Sequence, residues 1–242
     1  KAVLKAPLFV YPYSNLGNLY LGSKRFAESE EMFKIVLKLD SMNEYSISSL
    51  ATLYLKTNQY TKSETYYVEA LKIDSSAINF QNLGFYYVKT NKYKQAEQCF
   101  IKAIQLDSSL AVAFINLGYI QKETNRFNEA EQNLKTAIQL DPNLAIAYLN
   151  LGWMQKDTKR FNEAELNFKR AIELDPNSDN YNGLGSLYII YQQFNEAEMV
   201  LKRAIQLDSL HQRSIIQLGY LYYITGRLKE SEVFFQLAYK ID

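Results

Sequence analysis

The sequence predicts an all-α fold, an α-solenoid of about seven helix–turn–helix units. Two observations carry this prediction: a fixed repeat and the helical spacing of apolar residues within it. A Leu-Gly step or its Leu-Ala variant recurs every 33 or 34 residues, at Leu16-Gly17, Leu50-Ala51, Leu83-Gly84, Leu117-Gly118, Leu151-Gly152, Leu184-Gly185 and Leu218-Gly219. Each copy carries two apolar stripes whose residues stand three and four apart, as on one face of a helix. A single unit could not bury both stripes, whereas stacked neighbours form a continuous core.

Counting the Gly of each Leu-Gly step as position eight divides the chain into repeats. The full repeats are residues 10–43, 44–76, 77–110, 111–144, 145–177, 178–211 and 212–242. Residues 1–9 align with the last turns of a repeat, so we expect an earlier repeat to precede them. The final helix contains Phe234, Phe235 and Tyr239, and no polar capping helix follows it. We therefore expect that more chain, or another subunit, covers part of these three side chains.

Small and large side chains occupy fixed positions in the repeat. Position twenty is Ala or Ser and position twenty-seven is Ala or Val, and such small residues let two helices approach closely. Position eleven is Tyr in most repeats but Gln121 and Gln155 in the two middle ones. The pattern of a bulky residue, Leu-Gly, Tyr, Ala, an aromatic and Ala resembles the tetratricopeptide repeat, a helix–turn–helix unit. The resemblance implies that the units stack into a right-handed superhelix. The terminal Pro of that family occurs only as Pro142 and Pro176.

Composition argues against several classes of partner. The formal net charge is +1 and no basic face dominates, so no nucleic-acid partner is expected. The single cysteine excludes an intrachain disulfide framework and fits a reducing compartment. We therefore expect an intracellular, cytoplasmic location. No apolar run approaches the length of a membrane span, so no spanning segment is expected.

No catalytic or metal-binding constellation emerges from the residue types. The only histidine, His211, falls in a turn between repeats, and Cys99 falls on a second helix, where a small buried residue is a simpler interpretation than a reactive thiol. Glutamates recur at equivalent places in the second helices, which indicates a solvated face: Glu129, Glu131, Glu163, Glu165, Glu196 and Glu198. We therefore expect no enzymatic activity, no cofactor and no metal site.

The resemblance implies where partners bind. In the tetratricopeptide repeat family the first helix of each repeat lines a concave groove, through positions two, five, six, nine, twelve and thirteen. Position six is asparagine at Asn82, Asn116 and Asn150. This resembles the asparagine ladder in the repeat arm of O-GlcNAc transferases, where side-chain amides hold a peptide backbone. An amide can donate to and accept from one peptide unit. The alternative is that Asn-Leu-Gly is simply common in the repeat.

Apolar side chains surround these amides in the middle repeats. They are Ile78, Phe85, Val112, Ile115, Tyr119, Ile146, Leu149 and Trp153. Aromatic and aliphatic surfaces of this kind bind the side chains of peptides. The alternative is that a neighbouring first helix partly covers each of them. Lys89, Lys122 and Lys156 follow on the same stripe as a charged groove edge that could meet carboxylates, with plain solvation as the alternative.

These observations predict a non-catalytic scaffold that binds a peptide or a partner segment in its concave groove. Two alternatives stay open: the substrate-recruiting arm of a larger enzyme, such as a glycosyltransferase, and a structural subunit of a large assembly. Binding of the acidic C-terminal tails of chaperones is disfavoured, because relatives that bind such tails carry Lys at position five. Here position five is Ser14, Ser48, Gln81, Ile115, Leu149, Asn182 and Ile216.

Overall fold

The computed structural model describes residues 7–241, and within that range every regular element is an α-helix. The fourteen helices are α1 (Pro7–Gly22), α2 (Phe26–Leu39), α3 (Glu44–Lys56), α4 (Tyr60–Ile73), α5 (Ala77–Lys89), α6 (Tyr93–Leu106), α7 (Ala111–Glu123), α8 (Phe127–Leu140), α9 (Ala145–Asp157), α10 (Phe161–Leu174), α11 (Ser178–Ile190), α12 (Phe194–Leu207), α13 (Gln212–Ile224) and α14 (Leu228–Ile241). The predicted all-α array of helix pairs is confirmed. The expected earlier repeat concerns residues 1–6 and what precedes them, which lie outside the described range.

The chain divides into two compact units, Lys1–Asn116 and Leu117–Asp242, called here the N-terminal unit and the C-terminal unit. In the N-terminal unit α1 packs on α2, α3 on α4 and α5 on α6, and α2 also contacts α3 and α4 contacts α5. In the C-terminal unit α9–α10, α11–α12 and α13–α14 pair in the same way. First helices of successive repeats also touch, α1 with α3 and α3 with α5, and α9 with α11 and α11 with α13. Within each unit the first helices therefore stand side by side.

At Gly17 and Gly84 the glycine of the Leu-Gly step is needed because an aromatic ring lies directly against it. A Cβ atom on Gly17 would come within 2.7 Å of the Phe33 ring, and one on Gly84 within 2.8 Å of the Phe100 ring. Both rings are fully buried. Because these separations are shorter than any normal carbon–carbon contact, only glycine lets the second helix lie this close to the first.

Phe168 contacts glycines in two successive repeats. A Cβ atom on Gly152, in the same repeat, would lie 2.8 Å from its ring, and one on Gly183, in the next repeat, 2.6 Å. The Trp153 ring meets Phe168 edge-on, with 5.4 Å between the ring centroids. With the Phe168 ring in this place, a side chain at Gly183, such as the asparagine of other repeats at position six, would have no room.

One residue in the left-handed conformation closes each helix pair. The backbone angle φ lies between 57° and 77° at Lys24, Asn58, Asn91, Asn125, Lys159, Gln192 and Gly226. The next residue then donates its N–H to the carbonyl five residues earlier, as Gln59 does to Tyr54 at 2.8 Å. This hydrogen bond caps the first helix in the manner of a Schellman motif. The same turn is therefore rebuilt in every repeat.

Enlarging position twenty should destabilise the fold. Ala130 and Ala164 are fully buried, so Ala130→Leu or Ala164→Leu is expected to overpack its helix pair and to lower the free energy of unfolding by about 1–3 kcal/mol. Urea denaturation followed by circular dichroism measures this change. The control is Gln132→Leu at an exposed position of α8. Unchanged stability in both alanine variants would show that the helix pairs do not close through position twenty.

Candidate partner-binding faces

A cleft of about 530 Å³ opens on the N-terminal unit. It is lined by residues of α3, α4, α5 and the turn between α3 and α4: Thr52, Leu55, Lys56, Asn58, Tyr60, Tyr67, Asn82, Phe85 and Lys89. Three residues that the sequence placed in the groove, Asn82, Phe85 and Lys89, meet in this cleft. The structure therefore brings together an amide, an aromatic ring and an ammonium group on the first-helix side of this unit.

The hydroxyl groups of the cleft are paired within the protein. The Tyr67 and Thr52 hydroxyls lie 3.0 Å apart, and the Tyr60 hydroxyl donates to Asn58 Oδ1 at 3.0 Å. Asn58 occupies the left-handed position of the α3–α4 turn, which sets Tyr60 at the rim. These hydroxyls therefore shape the wall of the cleft.

The three groove asparagines retain free amides. Asn82, Asn116 and Asn150 are each half-buried, and within residues 7–241 their side chains form no hydrogen bond. Asparagines on the second helices behave differently, since Asn133 and Asn167 each donate to a glutamine at 2.7 Å. A half-buried amide without a partner is costly unless water or a ligand satisfies it. Position six therefore offers both a donor and an acceptor at the surface.

The predicted apolar residues divide into exposed and buried sets. Ile78, Phe85, Val112 and Ile146 are exposed by 41–59%, and Tyr119 and Trp153 are half-buried. Ile115 and Leu149, at position five, are only 2% and 6% exposed. Position five thus belongs to the helix interior in these two repeats, whereas positions two and nine present apolar surface.

On the C-terminal unit most of the predicted residues lie along α9. Ile146 is exposed and Asn150 is half-buried, one helical turn apart. Trp153 packs on Phe168, and the Lys156 ammonium lies 4.7 Å from the Trp153 ring centroid. Burial lowers the pKa of Lys156, an effect that Asp157 opposes and that Lys122 reinforces. Trp153 is therefore both a surface residue and part of the core.

The charged groove edge is compensated in the C-terminal unit. Lys122 Nζ lies 2.7 Å from Glu123 Oε1 and 3.8 Å from Asp157 Oδ2. Lys89 differs, since it is exposed and forms no ion pair within the described part of the chain. The three predicted lysines therefore do not form one uniform edge.

The glutamines at position eleven are buried in a network that sequence reasoning missed. Gln121 donates to Glu129 Oε2 at 3.2 Å and accepts from Asn133 at 2.7 Å. Gln155 makes the same two bonds with Glu163 and Asn167. A signal existed, because Gln at position eleven and Asn twelve residues later occur together in the same two repeats. In these two repeats the glutamine and its hydrogen bonds stand at the position that is tyrosine in the other repeats.

The interpretation of the repeated glutamates as a solvated face is wrong for part of the set. Glu129 and Glu163 are exposed, but Glu131 and Glu198 are only about one fifth exposed. Glu131 accepts two hydrogen bonds from Arg160 of the next repeat, at 2.8 and 3.2 Å. The glutamate at position twenty-one faces the following repeat. Where that repeat supplies an arginine, as Arg160 does, the ion pair holds the two repeats together.

His211 also joins two repeats. Its Nε2 lies 3.1 Å from Asp179 Oδ1, and its Nδ1 lies 2.7 Å from the Ser214 hydroxyl, which accepts from Asn182 at 3.2 Å. Ser214 is fully buried. An enclosed hydroxyl cannot reach a substrate, so this Asp–His–Ser chain ties α11 to the start of α13.

Cys99 is buried on α6, where a small residue was expected. Burial raises the pKa of its thiol to about 11. Thiolate is the reactive form of cysteine, and at neutral pH it is therefore scarce here.

The last described helix leaves aromatic surface uncovered. Phe235 is 40% and Tyr239 85% exposed, and Phe234 is half-buried. At the position of Phe235 in earlier repeats, Phe33, Phe100 and Phe168 are fully buried. That another segment or subunit covers this surface stays a prediction.

Neither a cluster of metal ligands nor a membrane-spanning helix occurs in the described part of the chain. Between residues 7 and 241 no three His, Cys, Asp or Glu side chains come together in a way that could hold a metal ion. None of the helices in the same range has the length and apolar character needed to cross a bilayer.

Sequence profiles decide the family. A profile described as tetratricopeptide repeat matches residues 145–178, and a related repeat profile matches residues 122–156. A further tetratricopeptide profile matches residues 10–41, 46–76, 79–110, 178–209 and 212–242. The chain belongs to the tetratricopeptide repeat family. Tetratricopeptide repeats generally act as scaffolds for protein–protein interaction.

Solved structures share the tetratricopeptide fold at low sequence identity. A tetratricopeptide repeat protein from Parabacteroides merdae has a TM-score of 0.77 at 14% identity, over 96% of this chain and 93% of that chain. PilW, a type IV pilus biogenesis factor, has a TM-score of 0.72 at 19% identity, over 84% and 94%. A chain of the APC/C hetero-tetramer Cut9–Hcn1 has a TM-score of 0.78 at 14% identity, over 90% and 45%. No curated protein sequence matches this one.

Proposed function

We propose that this tetratricopeptide repeat chain is a non-catalytic scaffold that binds an extended segment of a partner protein on the faces of its first helices. The observation that carries the proposal is the pairing of a free, half-buried amide with exposed apolar side chains. On the N-terminal unit these are Asn82 and Phe85, and on the C-terminal unit Asn150 and Ile146.

The chemistry of a peptide fits this pairing. The backbone of an extended peptide presents unpaired N–H and C=O groups, and one side-chain amide can satisfy both. The side chains of the peptide then find apolar surface one helical turn away. Leaving the peptide group unpaired in such a half-desolvated place costs about 1–3 kcal/mol.

A peptide library tests the proposal. Random twelve-residue peptides displayed on phage are selected on the protein, and the selected peptides are then measured by fluorescence anisotropy. The double variant Asn82→Ala with Phe85→Ala should bind N-terminal-unit peptides at least about tenfold more weakly, because it removes the amide contact and the apolar anchor together. Asn150→Ala with Ile146→Ala tests the C-terminal unit in the same way.

The control removes an amide and an exposed aliphatic side chain on a second helix. Gln98 and Ile101 lie exposed on α6, and Ile101 is exposed by 41%, close to the 42% of Phe85. Gln98→Ala with Ile101→Ala should bind like the wild type. Melting temperatures are measured for all variants. If the selected peptides bind both groove variants as tightly as the control, partners are held elsewhere and the proposal fails.

A further inference from the structure

The cleft of the N-terminal unit carries positive charge without a carboxylate. Lys56 and Lys89 occupy position thirteen of α3 and α5, and both line the cleft. No Asp or Glu is among the lining residues. Both lysines are exposed, and within residues 7–241 neither forms an ion pair. The cleft therefore presents two ammonium groups that the rest of the described chain does not neutralise.

The C-terminal unit shows that this charge is specific to the cleft. There position thirteen is acidic on two helices, with Glu123 on α7 and Asp157 on α9, and is isoleucine on α11 and α13. These carboxylates lie 2.7 and 3.8 Å from Lys122, so the charges of that face compensate one another. The same repeat position is thus basic on α3 and α5 and acidic on α7 and α9.

Apolar surface adjoins the two lysines. Phe85 is 42% exposed, and the Lys89 ammonium lies 5.4 Å from its ring centroid. Asn82 sits three residues before Phe85 with its amide free. A ligand of this cleft would therefore meet a hydrogen-bonding amide, an aromatic ring and two cations.

We propose that the cleft binds an acidic segment of a partner protein, in which carboxylate side chains flank one apolar side chain. The carboxylates meet Lys56 and Lys89, the apolar side chain packs on Phe85, and Asn82 holds the backbone. This rests on the proposed function and adds the chemistry of the partner. It differs from capture of an acidic chain terminus, because the cations lie at position thirteen and no terminal carboxylate is needed.

Three synthetic peptides serve as probes. Each is blocked at both ends, carries a fluorophore, and has one leucine flanked on either side by two glutamates, two glutamines or two lysines. Anisotropy at about 50 mM salt should show the glutamate peptide binding about fivefold more tightly than the glutamine peptide, with the lysine peptide weakest. The preference should shrink at about 300 mM salt, where the Debye length is shorter. Two exposed ion pairs account for an effect of this size.

A charge-matched pair of variants decides where the preference arises. Lys56→Gln with Lys89→Gln should bind the glutamate peptide about fivefold more weakly and leave binding of the glutamine peptide unchanged. Lys94→Gln with Lys102→Gln removes the same charge from exposed lysines of α6 that form no ion pair in the described range. That control should bind within about twofold of the wild type. If both double variants lost the same amount of affinity for the glutamate peptide, the preference would depend only on the net charge of the protein, and the proposal would be overturned.

Other outcomes also overturn it. If the wild type binds the glutamate and glutamine peptides equally, or binds neither, the cleft does not select acidic segments. The proposed function survives that result when phage-selected peptides still need Asn82 and Phe85, and falls only when they do not. A single-stranded oligonucleotide that displaces the peptide and itself needs Lys56 and Lys89 would assign the cleft to nucleic acid.

Discussion

Replacing Phe168 by alanine should lower the free energy of unfolding by about 3–5 kcal/mol. Its ring is fully buried and contacts Gly152, Gly183 and Trp153. Because the two glycines belong to different repeats, the cavity would open both within a repeat and at its junction with the next. Urea denaturation monitored by circular dichroism measures the change.

Two comparisons separate this effect from a general response to mutation. Leu166→Ala, on the same helix but 70% exposed, should change stability by no more than about 0.5 kcal/mol. Gly183→Ala should destabilise the wild type, because its Cβ would come 2.6 Å from the Phe168 ring, but should be tolerated once Phe168 is alanine. If the two substitutions changed the free energy of unfolding additively, Gly183 and Phe168 would not be in contact.

Replacing Glu198 by glutamine should lower the free energy of unfolding by about 1–2 kcal/mol at neutral pH, since water screens part of the interaction with Arg227. Hydrogen bonds from Arg227, opposed by burial and aided by Lys202 and Tyr222, hold the pKa of Glu198 at about 2 instead of the usual 4.5. The pKa is lowered in the folded state, so the ionised carboxylate stabilises the fold. This contribution is complete above about pH 4.5 and is lost as the pH falls towards 2.

The pH dependence provides the test. The stability difference between the wild type and Glu198→Gln should be largest at pH 7 and should shrink steadily below about pH 4.5. Other carboxylates titrate in the same range, but they titrate in both proteins and cancel in the difference. Glu196→Gln, exposed on the same helix and without an ion pair in the described range, should match the wild type. A difference independent of pH would mean that the Arg227 contact does not set the pKa.

The helix pairs were predictable from the repeat because their causes lie within one repeat. Gly152 and Phe168 stand sixteen residues apart in every such copy, and their contact closes the two helices. A small residue such as Ala164 permits the same approach. The repeat period and the sizes of the recurring residues therefore predict the helices, the pairing of the two helices in each repeat and the turns between them.

The burial of the groove residues was less predictable because it depends on the neighbouring repeats. Ile146 and Leu149 share one face of α9, yet Ile146 is 47% and Leu149 6% exposed. Periodicity shows that two residues face the same way, but it does not show how far an adjacent helix covers that face. Glu131 was misjudged for the same reason, since its partner Arg160 lies in the following repeat.

The position of Phe168 affects how this array can be recombined. Chimeras of repeat proteins are commonly cut where one sequence repeat ends and the next begins, here near residue 177. Such a cut would separate the Phe168 ring from Gly183, and a donor repeat with asparagine at position six would place a side chain where the ring lies. Residues 145–211 should therefore be exchanged as one block, although they comprise two sequence repeats.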